Sequence, residues 1–78
     1  MKYEIGDVVF ADVCIDKNLK TTILGYAGNE YVVEYSRGWD YEKTDDFYIK
    51  VPKKFRHLKM WLIKESSIKF VYRNPYEI

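Results

Sequence analysis

Asn29-Glu30-Tyr31-Val32-Val33-Glu34-Tyr35-Ser36 alternates along its length. Tyr31, Val33 and Tyr35 fall on one face and Glu30, Val32 and Glu34 on the other, the two-residue period of a half-buried strand. Most of these residues are β-branched or aromatic, types that pack well on a pleated surface. Gly28-Asn29 comes immediately before and supplies positive-φ residues for a tight hairpin turn. The stretch is therefore expected to be the central strand of a small antiparallel sheet.

Toward the amino terminus, Thr21–Tyr26 reads as a second strand, with Gly25 marking a bulge or sharp bend. Asp16–Lys20 reads as a polar loop. Gly6-Asp7 reads as a turn that leads into a first strand, Val8–Val13, apolar enough for burial on both faces or nearly so. Toward the carboxyl terminus, Arg37–Asp46 has turn chemistry and encloses Trp39 and Tyr41 among polar residues. The connection 37–59 exceeds the length of about 12–15 residues beyond which a structureless loop becomes uncommon, so it should hold structure of its own. Phe47, Ile49 and Val51 alternate with Tyr48 and Lys50, which predicts a short extra strand ended by Pro52 at a sheet edge. Lys53–Lys59 is too short and too charged to predict a helix. Met60–Ile63 predicts a strand, Lys64–Ser67 a polar turn able to close as one helical turn, and Ile68–Tyr72 a last strand. Asn74-Pro75 stops it, leaving 73–78 as a tail.

A chain of 78 residues, 47% hydrophobic and 18% aromatic with eight tyrosines, makes one domain over 1–78. Its core is too small to enclose a deep substrate cavity, so a surface site is expected. Cys14 is the sole cysteine. It excludes an internal disulfide, favours a reducing cytoplasmic compartment, and in its apolar context reads as a small buried hydrophobe. No apolar run approaches the roughly 18 residues of a membrane span, so no membrane partner is expected. The net charge of +1 hides an asymmetry: residues 1–49 carry five basic and ten acidic side chains, and 50–78 carry eight and two.

The opening Ile5–Ala11, the pair Thr22–Gly25 with Tyr31–Tyr35, and the close Met60–Ile68 resemble the SH3-like barrel group that includes Tudor and KOW modules. The order Tyr-Val-Val-Glu-Tyr, then Gly-Trp, then a polar insertion and a Trp-bearing strand is similar to short proteins of bacteriophages and their hosts. The resemblance covers 5–71. It implies an all-β fold, a small five- to six-stranded antiparallel SH3-like barrel, with the insertion 37–59 before the fourth core strand. It supports a fold more than an activity, since a fold does not fix a function.

No nucleotide fingerprint, phosphate-cradling loop or Ser/His/Asp order is present, and His57 has no nearby acid in its basic run. Neither a catalytic site nor a cofactor is expected. Asp40, Glu42, Asp45 and Asp46 lack the spacing and glycine turn of a calcium loop and read as a solvated loop, not a metal site. Lys50–Lys59 holds five permanently basic residues and no acid. With Phe55 inside it and Trp61 after it, it has the composition to neutralise phosphates and stack a base. Tyr26, Tyr31, Trp39, Tyr41 and Tyr48 lie near expected strand ends, where Tudor-like modules hold aromatic cages. The reading that follows is a noncatalytic binding protein acting by protein contact, including a phage-type modulator or inhibitor of a host protein. The insertion Gly38–Lys59 forms the interface, with Trp39 and Tyr41 as anchors, the basic run for electrostatic steering, and Tyr48, Lys53, Lys54, Phe55 and Arg56 as further binding residues. The alternative is a nucleic-acid-binding module using 50–59. Edge strands of a partly open barrel also offer a route to a homodimer.

Overall fold

A computed structural model describes residues 2–38 and 45–72. They form an all-β fold: β1 (Val8–Val13), β2 (Asp16–Ala27), β3 (Glu30–Glu34), β4 (Met60–Ile63) and β5 (Ile68–Tyr72). These make one antiparallel sheet in the order β4-β3-β2-β1-β5. β2 is long because it serves two neighbours. Asp16–Thr22 pairs with β1 and Ile23–Ala27 pairs with β3, with a register shift between Ile23 and Gly25 where the strand changes partner. A bulge of this kind bends a strand and increases its twist. The sheet curls enough to bring β1 and β4 into contact although they do not pair.

The inner face carries the first core. Val9, Ala11 and Val13 of β1, Ile23 of β2, Tyr31 and Val33 of β3, Tyr35 just beyond it, Ile63 of β4 and Ile68 of β5 are all buried there. β1 buries every second residue rather than both faces. β3 does bury both faces: Tyr31, Val32 and Val33 are each fully enclosed. Val32 belongs to a second apolar cluster with Ala27, Val51, Phe55, Met60 and Leu62, bordered by Leu24 and Phe47.

Further expectations are corrected by the fold. The extra strand expected at 47–51 is instead a helix, α1 (Asp45–Lys50), followed by a 3-10 turn at Lys53–Phe55. Phe47 and Val51 stand four residues apart, the spacing of one helix face, and Phe55 follows on the separate 3-10 turn. The Val51 N–H donates to the Phe47 carbonyl at 3.2 Å, the four-residue bond of a helix. Lys50 is the last helical residue because the residue before a proline, here Val51, is pushed out of the helical region.

The segment Asp16–Lys20 is strand rather than loop, since a two-residue turn, Cys14-Ile15, connects β1 to β2. Asn18 takes up the extra residue with φ +52°, a conformation asparagine tolerates, and its N–H donates to Asp12 Oδ1 at 3.1 Å. That bond, then Lys69, holds the Asp12 carboxyl below its ordinary range. Cys14 is exposed at the turn rather than buried, because the inward alternation of β1 ends at Val13. In the second hairpin, only Gly28 (φ +63°) has positive φ, the φ pattern of a type II′ turn; Asn29 does not share it.

The expected close of the chain is present. β4 is followed by a 3-10 turn at Glu65–Ser67 and then β5.

Candidate contact surface

The segment 45–59 is laid over the outer face of β2, β3 and β4 by apolar anchors. Val51 is 1% exposed and Phe55 7%, and the Phe55 ring rests on the bare backbone of Gly25. A Cβ at Gly25 would stand 2.2 Å from Phe55 Cζ, so this approach requires glycine. Successive backbone bonds close the segment: Phe55 N–H to the Pro52 carbonyl, Arg56 N–H to Lys53, and Leu58 N–H to Phe55, at 3.0 to 3.2 Å. Arg56 Nε also donates to the Val51 carbonyl at 3.0 Å, which holds the guanidinium against the segment. Lys50 Nζ lies 3.6 Å from Glu30 Oε1 of β3.

With Val51 and Phe55 turned inward, the stretch that follows Pro52 presents cations outward. Lys53, Lys54, Arg56, His57 and Lys59 are exposed. Lys54 Nζ lies 5.0 Å from the Phe55 ring centroid, near enough for a cation–π contact at the edge of the second cluster. From Phe47 to Lys64 the chain has six lysines and arginines and no acid.

Comparison with protein-family models, curated proteins and solved structures gives no match. The functional reading therefore rests on this geometry.

The residues singled out in the sequence are distributed as follows. Lys53, Lys54 and Arg56 share the exposed face. Phe55 is a buried anchor of that face, so its ring is taken up by the protein. Trp61 is half-buried, with its ring 4.9 Å from that of Phe47 and 6.0 Å from that of Tyr35. Trp39 and Tyr41 lie outside the described residues, as does the side chain of Tyr48.

Tyr26 and Tyr31 come together, and Tyr31 is also met by Tyr3. Tyr3 and Tyr26 each meet Tyr31 edge-on, with centroids 5.6 and 5.7 Å apart. The hydroxyls hold one residue at both backbone groups: the Tyr3 N–H donates to Tyr31 Oη at 3.1 Å, and Tyr26 Oη donates to the Tyr3 carbonyl at 2.8 Å. Tyr31 in turn donates to Glu65 at 3.1 Å. Burial pushes the Tyr31 hydroxyl above its ordinary range, and the Glu65 carboxylate acts in the same direction.

A shallow groove of about 370 Å³ lies elsewhere, between the start of β2 and the end of β3, and includes Val8, Leu19, Thr22, Glu34 and Ser36. Beside it the Thr21 hydroxyl donates to the Glu34 carbonyl, which joins the two strands where their pairing ends. Among the described residues, no three His, Cys, Asp or Glu side chains converge as a metal site would require. No helix there is long and apolar enough to cross a membrane.

Sequence periodicity missed what makes this surface. Phe47 and Val51 carried the helical signal at four-residue spacing, but Ile49 completed an equally good two-residue pattern.

Proposed function

We propose that this chain is a noncatalytic binding protein whose contact surface is the docked insertion, acting on another protein through its cationic outer face. The observation that carries this reading is the division of the segment. Val51 and Phe55 are buried as anchors, while Lys53, Lys54, Arg56 and Lys59 remain exposed. A surface fixed from beneath loses less conformational entropy on binding than a free loop, and its charges steer an acidic partner toward it. The strand order and the 3-10 turn before β5 support an SH3-like barrel as the platform, a fold that carries many binding roles and fixes none of them. Modulation or inhibition of a host protein by a phage-type chain is one form of this function.

The nucleic-acid reading uses the same cations. Its support is the acid-free stretch from Phe47 to Lys64. Against it, Phe55, one of the two rings the sequence offers for stacking, is committed to the second cluster.

The test is capture from a bacterial lysate by the tagged chain, with and without nuclease, comparing wild type with Lys53→Glu/Lys54→Glu. A stoichiometric protein that survives nuclease and is weakened about tenfold or more by the double substitution is the expected result, since reversing charges repels an acidic partner. Recovery only of nucleic acid, lost with rising salt, transfers the function to the second reading.

A further inference from the structure

Among the described residues, the exposed large apolar side chains are Ile5, Ile15, Ile49 and Leu58. Two of these lie within the cationic insertion. Ile49 is 76% exposed on α1, and Leu58 is 39% exposed just past the 3-10 turn. The position of Ile49 follows from the helix. Each residue advances about 100°, so a side chain two residues from both Phe47 and Val51 points away from the face they bury. Leu58 is fixed as well, because its N–H closes the turn on the Phe55 carbonyl at 3.0 Å. Ile49 and Leu58 are thus two aliphatic side chains held in water on a segment that also exposes Lys53, Lys54, Arg56 and Lys59, and interfaces combine apolar anchors with charged groups in this way.

We infer that Ile49 and Leu58 are the apolar anchors of this contact surface, and that its partner is an acidic protein surface bearing an apolar ridge or pocket. The inference rests on the reading that the insertion makes the contact, and it assigns anchors and partner chemistry within that surface. Charge selects the acidic partner, since Phe47–Lys64 carries six basic residues and no acid. The aliphatic anchors select protein, because isoleucine and leucine bury well against other aliphatic groups and offer no flat face to a base.

Four probes test it on the full chain: an amphipathic helical peptide with glutamate on one face and leucine on the other, poly-L-glutamate of matched charge, a single-stranded oligonucleotide, and phosphatidylserine vesicles. The peptide is expected to bind about tenfold or more tighter than poly-L-glutamate, the margin being the contribution of buried anchors. Ile49→Ser/Leu58→Ser should remove that margin and leave poly-L-glutamate binding unchanged. Both side chains are solvent-exposed, so the fold should tolerate the change, as circular dichroism will check. Equal binding of the two peptides, no binding of the amphipathic peptide, or a margin that survives the double substitution overturns the inference. So does preference for the oligonucleotide or the vesicles. Lys53→Glu/Lys54→Glu separates the two levels. If it weakens peptide binding while Ile49→Ser/Leu58→Ser does not, only the anchors are wrong; if it has no effect on any probe, the contact surface itself is misplaced.

Discussion

At Gly25 the missing side chain leaves room for the Phe55 ring, whose Cζ lies 2.2 Å from where a Cβ would stand. A methyl group there forces either the ring out of the second cluster or β2 away from it. Gly25→Ala should therefore destabilise the protein by about 1–3 kcal/mol, the usual cost of overpacking. Phe55→Ala should cost about 3–5 kcal/mol through the cavity it leaves. In the double variant the alanine methyl has no ring to meet, so its added cost should fall below about 1 kcal/mol, a coupling that urea unfolding can measure. Additive costs would mean that Gly25 serves the bulge in β2 and not the ring. In the sequence this glycine is legible as a bend, but the ring it receives lies thirty residues away.

The elements differ in how plainly their residues declare them. β3 and β5 follow from alternating apolar residues, β4 from a short continuous apolar run, and the two-residue turn before β3 from a glycine at the position that needs positive φ. The β1–β2 hairpin is harder to read, because Cys14-Ile15 has none of the usual turn chemistry and Asp16–Lys20 is polar enough to pass for a loop. Its tip holds Cys14 at φ +53°, which costs an ordinary residue about 1–2 kcal/mol. Cys14→Gly should relieve that cost, less the greater entropy of glycine in the unfolded chain, for a net gain of up to about 1 kcal/mol. For a domain of this size the melting temperature should then rise by a few degrees, about 4–8 °C per kcal/mol. Cys14→Ala, which keeps the Cβ, should give no such rise. α1 shows the same difficulty in another form, since a short apolar segment satisfied two periods and packing on β2, β3 and β4 chose between them.

Across the whole molecule, Tyr31 joins parts of the chain that are distant in sequence. Its ring lies in the first core, its oxygen accepts from Tyr3 and donates to Glu65, and its neighbour Tyr26 holds the other side of Tyr3. Burial raises the hydroxyl's pKa above its ordinary 10.0. When pH climbs past that value, the unfolded chain releases the proton while the folded chain retains it. Stability is therefore present below about pH 10 and falls as pH rises beyond it. Tyr31→Phe should cost about 1 kcal/mol near neutrality, the net worth of a typical hydrogen bond. It should also lose less stability than wild type between about pH 9 and 11. Parallel alkaline losses in denaturant titrations of the two proteins would show that this hydroxyl does not set the limit.

What the sequence determined by itself is the set of local preferences: an antiparallel all-β chain, the strands at 8–13, 30–34, 60–63 and 68–72, and a basic run with no acid in it. These are legible because strand period, turn chemistry and charge depend on a residue and its near neighbours. Tertiary structure alone decided that β3 is buried on both faces, that Phe55 faces inward and that Ile49 faces outward. Each of those depends on which segment lies opposite. The second cluster exists because the insertion folds back over the sheet, and only that contact separates the anchors of the surface from the residues it presents.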